Sequence, residues 1–157
     1  FLLMLSVLVY ASIRHGLAAL RERNEPAILS TPPHRAMIVS LGLLGATVGS
    51  IGIARGLVLL MIFSGITIAG AIGMFRETRI HRLTTSERTI AHLGGLIGSG
   101  IGAYTAFFAF GGARLLGDLL PGQWQAASWV IAPIIGTIAI SRLTRRYRRP
   151  ATSRQSV

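Results

Sequence analysis

Four histidines, His15, His34, His81 and His92, are the side chains in this sequence best suited to bind a metal or move a proton. Imidazole is a suitable axial ligand for haem iron. His15 and His92 are therefore the pair to consider for a b-type haem or another tetrapyrrole, if the segments that carry them converge. Interfacial histidines that bind nothing are far commoner, so the leading expectation is no cofactor and no metal site. A second motif lies at Gly98-Ser99-Gly100-Ile101-Gly102-Ala103, which satisfies the G-x-G-x-x-A form of the dinucleotide fingerprint and would cradle a pyrophosphate. The chain has no cysteine, which removes disulfides, thiolate zinc sites, iron–sulfur clusters and cysteine nucleophiles together.

Whether any of this chemistry can be assembled depends on the elements that carry it. The mean hydropathy is +0.59 and only 13% of the residues are charged, against about a quarter in a soluble domain. Apolar runs cover residues 1–13, 36–54, 56–75, 89–113 and 123–141. A helix needs about 20 residues to cross the hydrocarbon. The first run reaches that length by continuing to residue 20 with Arg14 extending to the interface. Its opening, Phe1-Leu2-Leu3-Met4, has no charged region ahead of it and fits a signal peptide poorly. Residues 36–75 as one helix would be about 60 Å long, so the chain must turn back, and Arg55-Gly56 marks the place. The expectation is an all-α integral membrane bundle of about five transmembrane helices in a single domain, 1–157. Its spans are 1–20, 36–54, 56–75, 89–113 and 123–141, followed by a basic tail, 142–157.

The basic residues number sixteen, all arginine, a bias typical of GC-rich bacterial genomes. Five spans put Arg14, Arg21, Arg23 and Arg35 on one side, with Arg76, Arg79, Arg82 and Arg88, and with Arg142, Arg145, Arg146, Arg148, Arg149 and Arg154. Arg55 and Arg114 alone fall on the other. The positive-inside rule then places the N-terminus outside and the C-terminus in the cytoplasm of a bacterial inner membrane. Trp124 and Trp129 fall at the outer end of the fifth span and Tyr147 near its inner end, where amphipathic rings favour the interface. The net charge of +11 does not point to nucleic acid, because the arginines are divided among three segments with no aromatic residues interleaved for stacking. Anionic lipid is the simpler partner. Arg145, Arg146, Arg148 and Arg149 would each gain about 1 kcal/mol near an acidic leaflet. Between the last two spans, Leu115, Leu116, Leu119 and Leu120 oppose Arg114 and Asp118, the pattern of a short interfacial helix.

This placement removes most catalytic options. The sole aspartate, Asp118, falls on the opposite side from every histidine, so no Ser–His–Asp set forms. All five acids, Glu22, Glu25, Glu77, Glu87 and Asp118, lie outside the spans, which argues against a coupled transporter or ion pump. The dinucleotide fingerprint fails on context: no strand signal precedes it, and Thr84 with Glu87 forms a capping box that starts a helix instead.

The glycines then need another reading. Gly94, Gly98 and Gly102 recur at four-residue steps, beside a second row of Gly95, Ser99 and Ala103. Similar faces occur at Gly42, Gly45, Gly49 and Gly52, at Gly65, Ala69 and Gly73, and at Ala132 with Gly136. In lipid, helices associate by packing and not by the hydrophobic effect, and small residues let backbones approach closely. Packing within the bundle is favoured over an external partner for any single stripe. Pro133 is expected to kink the fifth span.

The stretch "HLGGLIGSGIGAYTAFFAF", the later "WVIAPIIGTIAISRLTRRYRRP" and the early "SIRHGLAALRERNEP" together resemble a group of small bacterial multi-pass membrane proteins, a domain family of unknown function. The resemblance implies the same topology and nothing about activity. The expectation is a non-catalytic membrane protein, an accessory subunit that packs against other transmembrane subunits of a larger complex, energy-transducing or photosynthetic. The alternative is an electron-transfer protein holding haem or pigment on His15 and His92.

Overall fold

The computed structural model describes residues 1–25, 28–79, 83–107, 111 and 122–148, and within the last segment the side chains of 131–147. The fold is all-helical. Among the described residues, five α-helices follow one another: α1 (Leu2–Arg21), α2 (Pro32–Arg55), α3 (Val58–Glu77), α4 (Thr85–Ala106) and α5 (Gly122–Arg148), with a 3₁₀ turn at Ile28–Ser30 ahead of α2. Among the described residues, α1, α2 and α3 are long and apolar enough to cross a membrane.

Local sequence explains most of the boundaries. Thr31 precedes α2 and Pro32 occupies its first turn, where the missing N–H has no helical partner to lose. Gly56 ends α2 in the left-handed conformation, φ 63°. The Leu57 N–H then reaches back to the Gly52 carbonyl at 2.8 Å, a closure that satisfies an orphan carbonyl and lets α3 fold back at once. At the start of α4 the Glu87 N–H donates to Thr84 Oγ1 at 3.3 Å, while the Thr84 N–H donates to Glu87 Oε2 at 2.7 Å. The reciprocal pair satisfies two orphan donors.

α1 lies at the centre. One side packs along α4, and α5 packs on α4 in turn; the other side meets the hairpin of α2 and α3. Close backbone approach is confined to particular glycines. A Cβ at Gly95 would stand 2.5 Å from the Ser12 carbonyl oxygen, and one at Gly102 would stand 2.5 Å from Val9 Cγ2. A Cβ at Gly98 would stand 3.5 Å from Ser12 Oγ, whereas Gly94 has open space around it. On α2, a Cβ at Gly45 or Gly49 would stand 3.2 or 3.1 Å from Thr67 and Ser64 of α3, and one at Gly42 would stand 3.7 Å from Ala71. Gly136 of α5 is closed against Ile101 of α4. Ser99 is partly covered and Ala103 exposed, so the face of α4 turned to α1 is Ala91, Gly95, Gly102 and Thr105.

One expectation changes. The small face of α3 at Gly65, Ala69 and Gly73 is exposed, with nothing near either glycine. The buried face is Phe63, Ser64, Thr67 and Ala71, because the partners on α2 are themselves glycines and accept larger residues opposite. Residues 142–148, the first part of the basic segment, continue α5 as helix to Arg148, and Arg145 and Arg146 are exposed. His81, Arg82, Asp118, the segment 112–121 expected as an interfacial helix, and Arg149 with the rest of the tail lie outside the described residues, as do the side chains of Trp124, Trp129 and Arg148.

Candidate functional site: a buried polar cluster at one end of the bundle

α1 and α3 run parallel, and their pairings climb in step. The Phe1 and Phe63 rings meet edge to face at 5.5 Å, Ser64 Oγ lies 4.0 Å from Met4 Sδ, and Leu8 lies beside Gly70. That register brings His15 of α1 level with Glu77, the last residue of α3. α2 runs the opposite way and begins at the same level, where His34 sits in its first turn. Three titratable groups from three helices therefore meet at one depth.

They form a hydrogen-bonded chain. His15 Nε2 lies 2.7 Å from Glu77 Oε2, and His15 Nδ1 lies 3.0 Å from His34 Nε2. His15 Nε2–H donates to the Glu77 carboxylate, and one of the two rings supplies the proton shared between His15 Nδ1 and His34 Nε2. His15 and His34 are 3% and 4% exposed, while the Glu77 side chain keeps 32% of its surface. The chain thus leads from the solvent edge of the bundle to its interior. Beyond it lie Leu8, Ala11, Ile38, Leu41 and Ala71, a purely apolar cluster.

Two further contacts lie at the same end. Glu22, just past α1 and 5% exposed, is paired with Arg88 of α4 at 3.3 Å. His92 Nδ1 lies 3.3 Å from the Gly16 carbonyl, to which it donates. The 3₁₀ turn is tied to the end of α3, since Ser30 Oγ donates to the Thr78 carbonyl at 2.9 Å and Arg35 to the same oxygen at 3.5 Å. A polar belt therefore fastens α1, α2, α3 and α4 together at the end where Arg14, Arg21, Arg35, Arg76, Arg79 and Arg88 gather.

His15 and His92 do lie at the same end of the bundle, on adjacent helices, but their rings are turned to different partners. His15 faces α2 and α3 with both ring nitrogens engaged, and His92 faces the α1 backbone. A tetrapyrrole coordinated by His15 would have to displace His34 or Glu77. Among the described residues no three histidine or carboxylate side chains are arranged to hold a metal ion; Glu77, His15 and His34 form a line and do not converge on one point. The reading from sequence named His34 as a candidate without pairing it to His15, and it missed the roles of Glu77, Glu22 and Arg88. The available signal was that Glu77 closes one apolar run, His34 precedes another, and His15 lies near the end of a third, all on the side richest in arginine. Comparison with protein-family models, curated proteins and solved structures finds no match.

Proposed function

We propose that this chain is a multi-pass integral protein of a bacterial cytoplasmic membrane and acts as a non-catalytic accessory subunit within a larger membrane complex. In this reading it crosses the bilayer five times, with its N-terminus outside and its C-terminus in the cytoplasm. The observation that carries the reading is the distribution of side chains by size. Leu3, Leu43, Ile53, Val58 and Ile135 are 62–70% exposed, while much of the interior is Ala11, Ser12, Gly16, Ala19, Gly45, Gly95 and Gly102. Water would penalise such an exterior heavily, whereas hydrocarbon does not, and small residues inside are what helix association in lipid requires. The absence of catalysis rests on the polar cluster. Its groups are committed to one another, and the fastening of four helices accounts for them.

The test is solubilisation of a tagged chain from its native membrane in mild detergent, followed by native electrophoresis and visible absorption spectroscopy. Migration well above the monomer, without a Soret band, is the expected result. Migration as a monomer would remove the accessory role, and a Soret band lost in His92→Ala would replace this reading with a tetrapyrrole-binding one.

A further inference from the structure

The outer face of the α2/α3 hairpin carries a groove of about 410 Å³, within the roughly 300–1,000 Å³ usual for ligand sites. Its walls are Ile38, Val39 and Gly42 of α2 and Ile68, Ile72 and Phe75 of α3, and its lining ends in Arg76 and Arg79. From Ile68 to Phe75 the apolar part extends about 10 Å along the helix axis. Gly42 keeps the groove open, since no side chain rises there between the helices.

The charged end is built asymmetrically. The Arg79 guanidinium lies over the Phe75 ring, 5.0 Å from its centroid, which holds it at the mouth of the groove. Glu77, the acid closest in sequence, is turned away to His15, and Glu22 is occupied by Arg88. Neither Arg76 nor Arg79 has a carboxylate partner among the described residues. Arg35 adds a third guanidinium at this end, bonded to the Thr78 carbonyl. Guanidinium groups beside a wholly apolar channel call for an anion that carries a long apolar body.

We propose that the α2/α3 groove binds an anionic phospholipid, with an acyl chain along Val39, Gly42, Ile68 and Ile72 and the phosphate between Arg76 and Arg79. An uncharged apolar molecule would leave the arginines unmatched, and a free phosphate would leave the channel empty. A zwitterionic lipid brings its own cation, which competes for its phosphate. The site is separate from Arg145 and Arg146 near the end of α5, which would attract an acidic leaflet diffusely. The inference rests on the membrane reading above.

The test uses the full chain purified in detergent, with native mass spectrometry after addition of dioleoyl phosphatidylglycerol or dioleoyl phosphatidylcholine. Wild type should retain phosphatidylglycerol about tenfold better than phosphatidylcholine, as two arginines near the head group allow. Arg76→Gln/Arg79→Gln should abolish that preference, and Arg145→Gln/Arg146→Gln should leave it within about twofold. Ile72→Trp plugs the groove without touching a charge and should also lower retention, which tests the site should the double glutamine variant fail to fold. Equal retention of the two lipids by wild type, an unchanged preference in a folded Arg76→Gln/Arg79→Gln protein, or undiminished phosphatidylglycerol retention in a folded Ile72→Trp protein would overturn the proposal. Recovery of the chain outside the membrane fraction would instead defeat the membrane reading, so the two failures are distinguishable.

Discussion

His15 and Glu77, 62 residues apart in the chain, are joined by a 2.7 Å hydrogen bond between α1 and α3. The bond exists because the two helices run parallel in a register that ends Glu77 at the depth of His15. His34 extends it to α2. One ring thus fastens three helices, and its removal leaves both partners without their bond.

His15→Ala should therefore destabilise the bundle by about 2–4 kcal/mol, combining a lost buried hydrogen-bond centre with a cavity. Glu77→Gln should cost less, about 1 kcal/mol, because Glu77 is one-third exposed and glutamine still accepts a bond. Denaturation in detergent of His15→Ala, Glu77→Ala and the double variant gives the coupling, since each single change removes the contact. Additive losses would show that the 2.7 Å contact carries no energy.

Adjacent glycines on α4 should behave in opposite ways. A Cβ at Gly95 would press on the Ser12 carbonyl, which is backbone and cannot rotate aside, so Gly95→Ala should lower the melting temperature. Gly94 has open space, and Gly94→Ala should be neutral or stabilise by about 0.5–1 kcal/mol through reduced helix entropy. The same thermal shift for both variants would contradict the packing of α1 on α4.

The Glu22–Arg88 pair is unequally covered, with the Glu22 side chain 4% exposed and Arg88 20%. Arg88→Ala should cost about 2–3 kcal/mol, since it strands a buried carboxylate. Glu22→Gln should cost about 1 kcal/mol or less, because it retains an acceptor and removes the charge that needed pairing. A larger loss from Glu22→Gln than from Arg88→Ala would mean the carboxylate is solvated in the native protein.

Reporter fusions test the orientation. Enzymes active only in the cytoplasm should work when fused after Arg88 or Val157 and fail when fused after Gly56 or Asp118. The division of arginines motivates the expectation, and activity in the reverse pattern would invert every sidedness stated under the proposed function.

Features decided by neighbours in the chain were legible in the sequence. The turn at Arg55-Gly56 follows from span length and from glycine's access to positive φ, and the Thr84–Glu87 box from a three-residue spacing; both are satisfied within one helical turn. The helical class and the approximate limits of α1, α2 and α3 follow from apolar run length alone. Periodicity likewise identifies which residues share a helix face, because each residue advances about 100° around the axis.

Periodicity does not say which face is covered. Gly65, Ala69 and Gly73 form as regular a row as Gly42, Gly45 and Gly49, yet the second is covered by a neighbouring helix and the first is exposed. Only the pairing of α2 with α3 separates them. The polar cluster shows the same limit more strongly. Residue types placed Glu77 and Glu22 outside the apolar runs, as charges usually are, but helix register turned both carboxylates inward to His15 and Arg88. Burial of a charge depends on whether a partner stands opposite it, and the partner here comes from a helix whose position is set by packing of the whole bundle.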